Sequence, residues 1–245
     1  MNIEYISSLF EFAGGIGMFL YGMNTMADGM QRSAGGKMKK LLGYLTSNRL
    51  LAIIVGAVIT AIIQSSGATT VMVVGFVNAG LMTLVQAVGV IMGANIGTTI
   101  TAWIVSLGQL GDAAKVMNPS FYAPFLIGIG AFVILFSKKD KVKNAGEIIV
   151  GIGLLFEGLT FMSSSIAPYT DAPIFSQAFQ IVGSNPFLGI LIGIIVTAVL
   201  QSSSASVGIL QTLALNGVVT TNAAIYITLG PVSYTHLTLP TNSLV

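Results

Sequence analysis

Apolar residues run along this chain in long blocks rather than in alternation with polar ones, and the block lengths predict membrane-embedded helices. The first block, Ile6 to Met26, has the roughly 20 residues needed to cross a hydrocarbon core of about 30 Å. Leu50 to Ile63 and Val71 to Leu84 are shorter, about 14 residues or roughly 21 Å each as helices. The polar run Gln64-Ser65-Ser66 separates them. That pair predicts a re-entrant helical hairpin, about 50–84, turning back at the Gln-Ser-Ser tip. Broken backbone at membrane depth is tolerated only where protein or a water-filled cavity satisfies it. Val85 to Leu107 predicts a further span, broken at Gly93-Ala94-Asn95-Ile96-Gly97-Thr98-Thr99 because two glycines and an asparagine weaken a helix. Phe121 to Phe136 follows as a slightly short span, then Gly146 to Met162 with Glu157 near its middle. Phe187 to Leu200 and Val207 to Asn216 form a second hairpin, about 186–217, and another span opens near Ala223.

The two hairpins belong to an internal repeat. An offset of 137 residues carries Gln64-Ser65-Ser66 onto Gln201-Ser202-Ser203, Asn48 onto Asn185, Gly56 onto Gly193, Thr60-Ala61 onto Thr197-Ala198 and Gly80 onto Gly217. One residue of slippage sets Gly17, Gly22 and Met26 against Gly153, Gly158 and Met162. Residues 1–145 are therefore read as one membrane repeat, with its broken helix at 85–107, and 146–231 as a second. If each hairpin returns to its starting side, nine of the ten basic residues (all but Lys115) share one face, in loops 32–49 and 138–143. Positive-inside makes that face cytoplasmic. Placing each Gln-Ser-Ser inside a single crossing would instead put the two basic loops on opposite faces; two full crossings per hairpin would keep the parity, and only leg length speaks against them. Three full spans precede the second repeat, so the repeats are expected to be inverted, a design that places substrate near the midplane and works by alternating access. The expected fold class is an all-α membrane protein with inverted structural repeats, each holding a re-entrant hairpin and a broken transmembrane helix.

Composition agrees with a polytopic membrane protein: 54% apolar, 7% charged, mean hydropathy +0.89. There is no cysteine, which excludes disulfides and thiolate metal sites. Met1 to Ser8 carries Glu4 and no Lys or Arg, the wrong start for a cleavable signal, so the first block is expected to stay in the mature protein.

Amides and hydroxyls inside apolar runs are costly unless they bind something or one another. Hairpin tips offer unpaired N–H groups and positive half-helix ends, and Ser65, Ser66, Thr69, Ser202, Ser203, Ser204 and Ser206 add donors, a set that suits an oxyanion. No Lys or Arg lies within either hairpin, so a doubly charged anion needs co-bound cations. The oxygens of Gln64, Gln201 and Asn95, with the carbonyls and hydroxyls of 93–99, are hard ligands suited to Na⁺. Glu157, a mid-span acid, is either an ion or proton site or a local hydrogen-bonding group.

At Gln64-Ser65-Ser66, Gln201-Ser202-Ser203-Ser204 and Gly93-Ala94-Asn95-Ile96-Gly97-Thr98 the chain resembles the type II sodium-phosphate cotransporter family, over nearly all its length to about Pro231. The resemblance implies sodium-coupled phosphate transport across the cytoplasmic (inner) membrane. It implies phosphate at Gln64, Ser65, Ser66, Gln201, Ser202, Ser203 and Ser204, with Thr69, Asn95, Thr98, Ser206 and Glu157 as sodium-binding candidates. It implies no enzymatic activity, no cofactor beyond co-transported Na⁺, a lipid-bilayer setting and no nucleic-acid partner, with a homo-oligomer left open. The first motif departs from the fuller form, having Gly67 where the second has Ser204. An oxyanion channel would use the same hydroxyls without sodium dependence. An intramembrane hydrolase would need a base beside an activated serine, and the only histidine is His236.

Beyond Gly230 the repeat is not answered. The sequence reads Pro231-Val232-Ser233-Tyr234-Thr235-His236-Leu237-Thr238-Leu239-Pro240-Thr241, which resembles a translated sequencing adapter. Residues 232–245 are therefore read as a non-native tail and the chain as a fragment without the second glycine-asparagine stretch. On that reading the 245-residue chain by itself is not expected to transport.

Overall fold

The computed structural model describes residues 3–43, 48–107, 119–169 and 173–242, and among them there are helices and no strands. In chain order these are α1 (Ile3–Gly43), α2 (Arg49–Ile63), α3 (Ser66–Asn78), α4 (Leu84–Leu107), α5 (Pro119–Phe136) and α6 (Asp140–Ile166). A 3-10 turn at Ala167–Tyr169 leads to α7 (Pro173–Ser184), α8 (Pro186–Leu200), α9 (Ser203–Leu215) and α10 (Thr221–Asn242). Three stretches, Tyr5–Ser33, Leu84–Leu107 and Asp140–Tyr169, are long and apolar enough to cross a bilayer. The legs α2, α3, α8 and α9 have 15, 13, 15 and 13 residues, roughly 20–22 Å at 1.5 Å per residue, short of a hydrocarbon core.

The hairpins fold where local chemistry requires. Asn48 starts α2, its side chain accepting the N–H groups of Leu50 (3.0 Å) and Leu51 (3.4 Å). Asn185 does the same for Phe187 (3.1 Å) and Leu188 (3.3 Å) at the head of α8. Gln64 and Gln201 end these helices in the left-handed region, at φ 58° and 54°, conformations costly for a residue with a side chain. Ser65 and Ser202 then turn extended, and their hydroxyls accept from Ala68 N and Ala205 N at 3.2 Å to start α3 and α9. Gly80 and Gly217 leave the hairpins at φ +69° and +75°. Every boundary of α2, α3 and the start of α4 recurs 137 residues later in α8, α9 and α10. Losing either asparagine cap should cost about 1 kcal/mol. Asn48→Ala and Asn185→Ala are each expected to lower the detergent-solubilised melting temperature by about 2–4 °C, with Asn→Asp, which keeps the acceptor, close to the parent.

Helices α1 and α6 pack antiparallel through glycines. A Cβ on Gly15 would lie 2.9 Å from Gly158 O and one on Gly158 2.6 Å from Gly15 O; Gly22 and Gly151 stand at 2.7 and 2.6 Å in the same way. Under the one-residue-slipped offset Gly15 answers Gly151 and Gly22 answers Gly158, so exchanging the two segments turns one contact into the other. Phe19, Met26, Leu155 and Met162 fill this seam and reach Ala205 and Ile209 of α9. A second core, with Ile59, Val73 and Val90, is drawn from α2, α3 and α4. A third joins Val182 of α7, Leu210 of α9, Val219 of the turn after α9 and Ile227 of α10 to Ile166.

Three sequence expectations need correction. The span holding Gly93 to Thr99 is not broken, since α4 is one helix of 24 residues. Its glycines serve close approach instead: a Cβ on Gly93 would sit 2.0 Å from Ile53 O, and one on Gly97 2.4 Å from Ala57 O. In an apolar setting the helix keeps its own hydrogen bonds, whose loss outweighs glycine's weak propensity. The basic segment 32–49 is not a loop along most of its length, because α1 continues to Gly43; lysine is a good helix former and no proline or cap intervenes. Lys141 and Lys143 likewise lie within α6, and only 137–139 links it to α5. At the far end α10 runs from Pro231 through Asn242 without interruption.

Candidate functional site

The two hairpin tips open on one cavity of about 300 Å³. The first contributes Ser66 and the second Ser203, Ser204 and Val207. Asn95, Thr98, Thr99 and Ala102 of α4 form one wall, and Thr228 and Pro231 of α10 complete it. Seven of the ten lining residues carry a hydroxyl or an amide, yet most of the surface they and Ala102, Val207 and Pro231 show the cavity is apolar, so the polar groups are few and placed at points. Helices α3 and α9 both start at this cavity. The first N–H groups of a helix have no partner within it and carry its positive dipole end. Ser65 and Ser202 each satisfy one such donor, on Ala68 and Ala205.

Behind the lining, side chains hold each tip in shape. Thr60 Oγ1 donates to Thr69 Oγ1 at 3.0 Å, and Thr69 Oγ1 donates to Ser65 O at 3.0 Å. On the second tip Thr197 Oγ1 meets Ser206 Oγ at 3.0 Å, and Ser206 Oγ donates to Ser202 O at 2.9 Å. All four of these hydroxyl residues are buried. The glutamines fold back on their own helices, Gln64 Nε2 to Ala61 O at 2.6 Å and Gln201 Nε2 to Ala198 O at 2.7 Å. Gln64 Oε1 also accepts from Thr101 Oγ1 of α4 at 2.6 Å. Gln31 Nε2 of α1 donates to Ile63 O at 3.0 Å, fastening the first tip to the long helix.

Of the residues singled out from sequence, Ser66, Ser203, Ser204, Asn95 and Thr98 come together around the cavity. Gln64, Ser65, Gln201 and Ser202 shape its rim through the caps and bonds above. Thr69 and Ser206 lie behind it in the buried hydroxyl pairs. Glu157, half-buried on α6, does not line it. Thr101 and Thr228 were not foreseen. Thr101 falls two residues past the glycine-asparagine stretch, and only its facing of Gln64 reveals it. Thr228 stands where the offset puts Ile91, so no repeat signal marked it. Replacing Thr101 with valine leaves Gln64 Oε1 without this donor and should cost about 1–2 kcal/mol. The melting temperature of Thr101→Val is expected to fall while Thr101→Ser, which retains the hydroxyl, stays near the parent.

Comparison with known proteins identifies the family of the chain. A family model described as Na⁺/Pi-cotransporter matches residues 18–164 and 171–235. The Bacillus subtilis protein YqeW is 28% identical over 222 residues, which is 91% of this chain and 69% of that protein. The Escherichia coli protein named "Putative inorganic phosphate export protein YjbB" is 26% identical over 223 residues, 91% of this chain and 39% of that protein. Human "Sodium-dependent phosphate transport protein 2B" is 36% identical over 113 residues, 45% of this chain and 16% of that protein. The chain thus spans well under half of the latter two. No solved structure matches.

Proposed function

Because the chain belongs to the Na⁺/Pi-cotransporter family, we propose that it provides the phosphate and Na⁺ binding site of a multi-pass membrane transport protein that moves both across the cytoplasmic membrane. The observation that carries this reading is the single cavity shared by two hairpin tips and α4. A phosphate there meets the first-turn N–H groups of α3 and α9 and the hydroxyls of Ser66, Ser203 and Ser204. The two half-helix ends contribute roughly half a positive charge each, less than a phosphate dianion carries. The lining residues are all uncharged, so co-bound sodium supplies the balance, with the oxygens of Asn95 and Thr98 as its ligands. Gln64, Ser65, Gln201 and Ser202 hold the tips around the anion, while Thr69 and Ser206 brace them from behind.

Residues 1–145 and 146–231 are the two inverted repeats of this transporter, and access alternates as one repeat moves against the other. Support comes from the element boundaries recurring after 137 residues and from the reciprocal contacts of the antiparallel pair α1 and α6. Arg32 and Glu147, paired at 2.8 Å, bring the end of α1 where the basic residues begin beside the start of α6. Both basic segments then face the cytoplasm, as the positive-inside rule expects.

The test is equilibrium binding of radiolabelled phosphate to the purified protein in sodium buffer and in choline buffer. Saturable binding in sodium that disappears in choline is expected. Equal binding in both would remove the coupling and favour an oxyanion channel; no binding in either would remove phosphate as the ligand.

A further inference from the structure

The two tips differ in what they show the cavity. Ser203 and Ser204 both line it from the second tip, whereas Ser66 alone does so from the first. The position answering Ser204 across the 137-residue offset is Gly67. Backbone geometry does not demand glycine there, because Gly67 lies in the first turn of α3 and the positive-φ glycines are Gly80 and Gly217. Packing does not demand it either: a Cβ on Gly67 would find nothing nearer than Ser65 Oγ at 4.0 Å. Gly93, by contrast, faces backbone at 2.0 Å. Glycine weakens a helix relative to a residue with a side chain. A Cβ at position 67 would therefore enter open space next to Ser66, at the position that Ser204 fills on the second tip.

We propose that Gly67 is a specificity-determining position, and that the gap it leaves lets the cavity accept an oxyanion in which one oxygen is replaced by a small apolar group, such as methylphosphonate, alongside phosphate. The inference rests on the phosphate reading above and adds a substrate class to it. The remaining oxygens of the phosphonate are met by Ser66, Ser203 and Ser204. Its methyl turns to the gap, where no hydroxyl is left without a partner, and Ala102 and Val207 add apolar wall. Serine at position 67 would put a donor against that methyl. A site built to hydrogen-bond an oxygen discriminates strongly against an analogue lacking it, because the site's polar group is then left unpaired.

Displacement of radiolabelled phosphate by unlabelled phosphate and by methylphosphonate, in sodium buffer, tests this on the parent protein, Gly67→Ser and Gly67→Ala. In the parent, methylphosphonate is expected to displace phosphate within about tenfold of phosphate's own potency. Gly67→Ser is expected to bind phosphate at least as tightly and to disfavour methylphosphonate by about tenfold or more. Gly67→Ala, which fills part of the gap without adding a donor, should fall between and guards against a serine-specific folding defect. If phosphate binds the parent and methylphosphonate does not displace it, or if neither variant changes the ratio, the inference is overturned while the phosphate reading stands. If the parent binds no phosphate in sodium, both fall together.

Discussion

Gly56→Val is expected to destabilise the fold severely, lowering its melting temperature by about 6–12 °C or more. A Cβ at Gly56 would lie 2.1 Å from Val90 O and 2.8 Å from Val90 C and Cα, all backbone atoms of α4. Carbon and carbonyl oxygen approach one another to about 3.3 Å at closest. Helices α2 and α4 would therefore have to part by about 1 Å before valine's two methyls are accommodated. That separation opens the core of Ala52, Val55, Ile59 and Val90, which holds the first hairpin on α4. Ordinary overpacking costs about 1–3 kcal/mol, and a clash against rigid backbone belongs at or beyond the top of that range. For a stability of order 5–15 kcal/mol the loss is large, equivalent to a drop of about 6–12 °C in melting temperature. Detergent size-exclusion profiles and melting curves measure it. Gly193→Val should behave alike, since its Cβ would lie 2.1 Å from Ile227 O. Gly75→Ala, at a position with nothing within 4 Å, should leave the profile unchanged. A normal melting curve for Gly56→Val would mean that the close α2–α4 contact does not hold the hairpin.

The second large effect concerns binding rather than folding. Replacing Ser66 and Ser203 together by alanine is expected to weaken phosphate binding by about a hundredfold or more. A hydrogen bond to a charged group contributes about 1.5–3 kcal/mol, and each substitution removes one such donor from the cavity. Neither hydroxyl caps a helix, so the melting temperature should hardly move. Ser65→Ala and Ser202→Ala form the informative contrast, because their hydroxyls are already engaged by Ala68 N and Ala205 N. They should cost about 1 kcal/mol of stability each and change affinity much less. The reverse pattern, with affinity lost at Ser65 and Ser202 but kept at Ser66 and Ser203, would mean that the tips bind phosphate in a different arrangement.

Much of this molecule was legible from its sequence, for reasons that lie close to the backbone. Helix lengths and the 14-residue legs could be read because the bilayer sets the length of any span and polar residues interrupt apolar runs. The tips could be read because an amide followed by hydroxyls inside an apolar run is too costly to leave without a purpose. Asn48 and Asn185 could be read as repeat partners, and capping chemistry then explains why helices begin there. The length of α1 was not legible, because nothing in Lys37, Lys39 and Lys40 distinguishes a helix from a loop.

Sequence alone determined the position and rough length of the hairpin legs, the two interruptions at Gln64 and Gln201 and the 137-residue repeat, since each depends on residues close together in the chain, but it read the segment that forms α7 as a loop. Tertiary structure decided what a glycine in an apolar helix is for. Gly93 and Gly97 read as a break, yet they are the places where α4 touches the backbone of α2. It also decided which hydroxyls face the cavity and which brace it, dividing Ser66 and Ser203 from Ser65 and Ser202, their immediate neighbours in sequence. The physical reason is the same in both cases. A glycine or a serine can serve backbone, packing or ligand equally well, and only the atoms brought against it from a distant helix select among them.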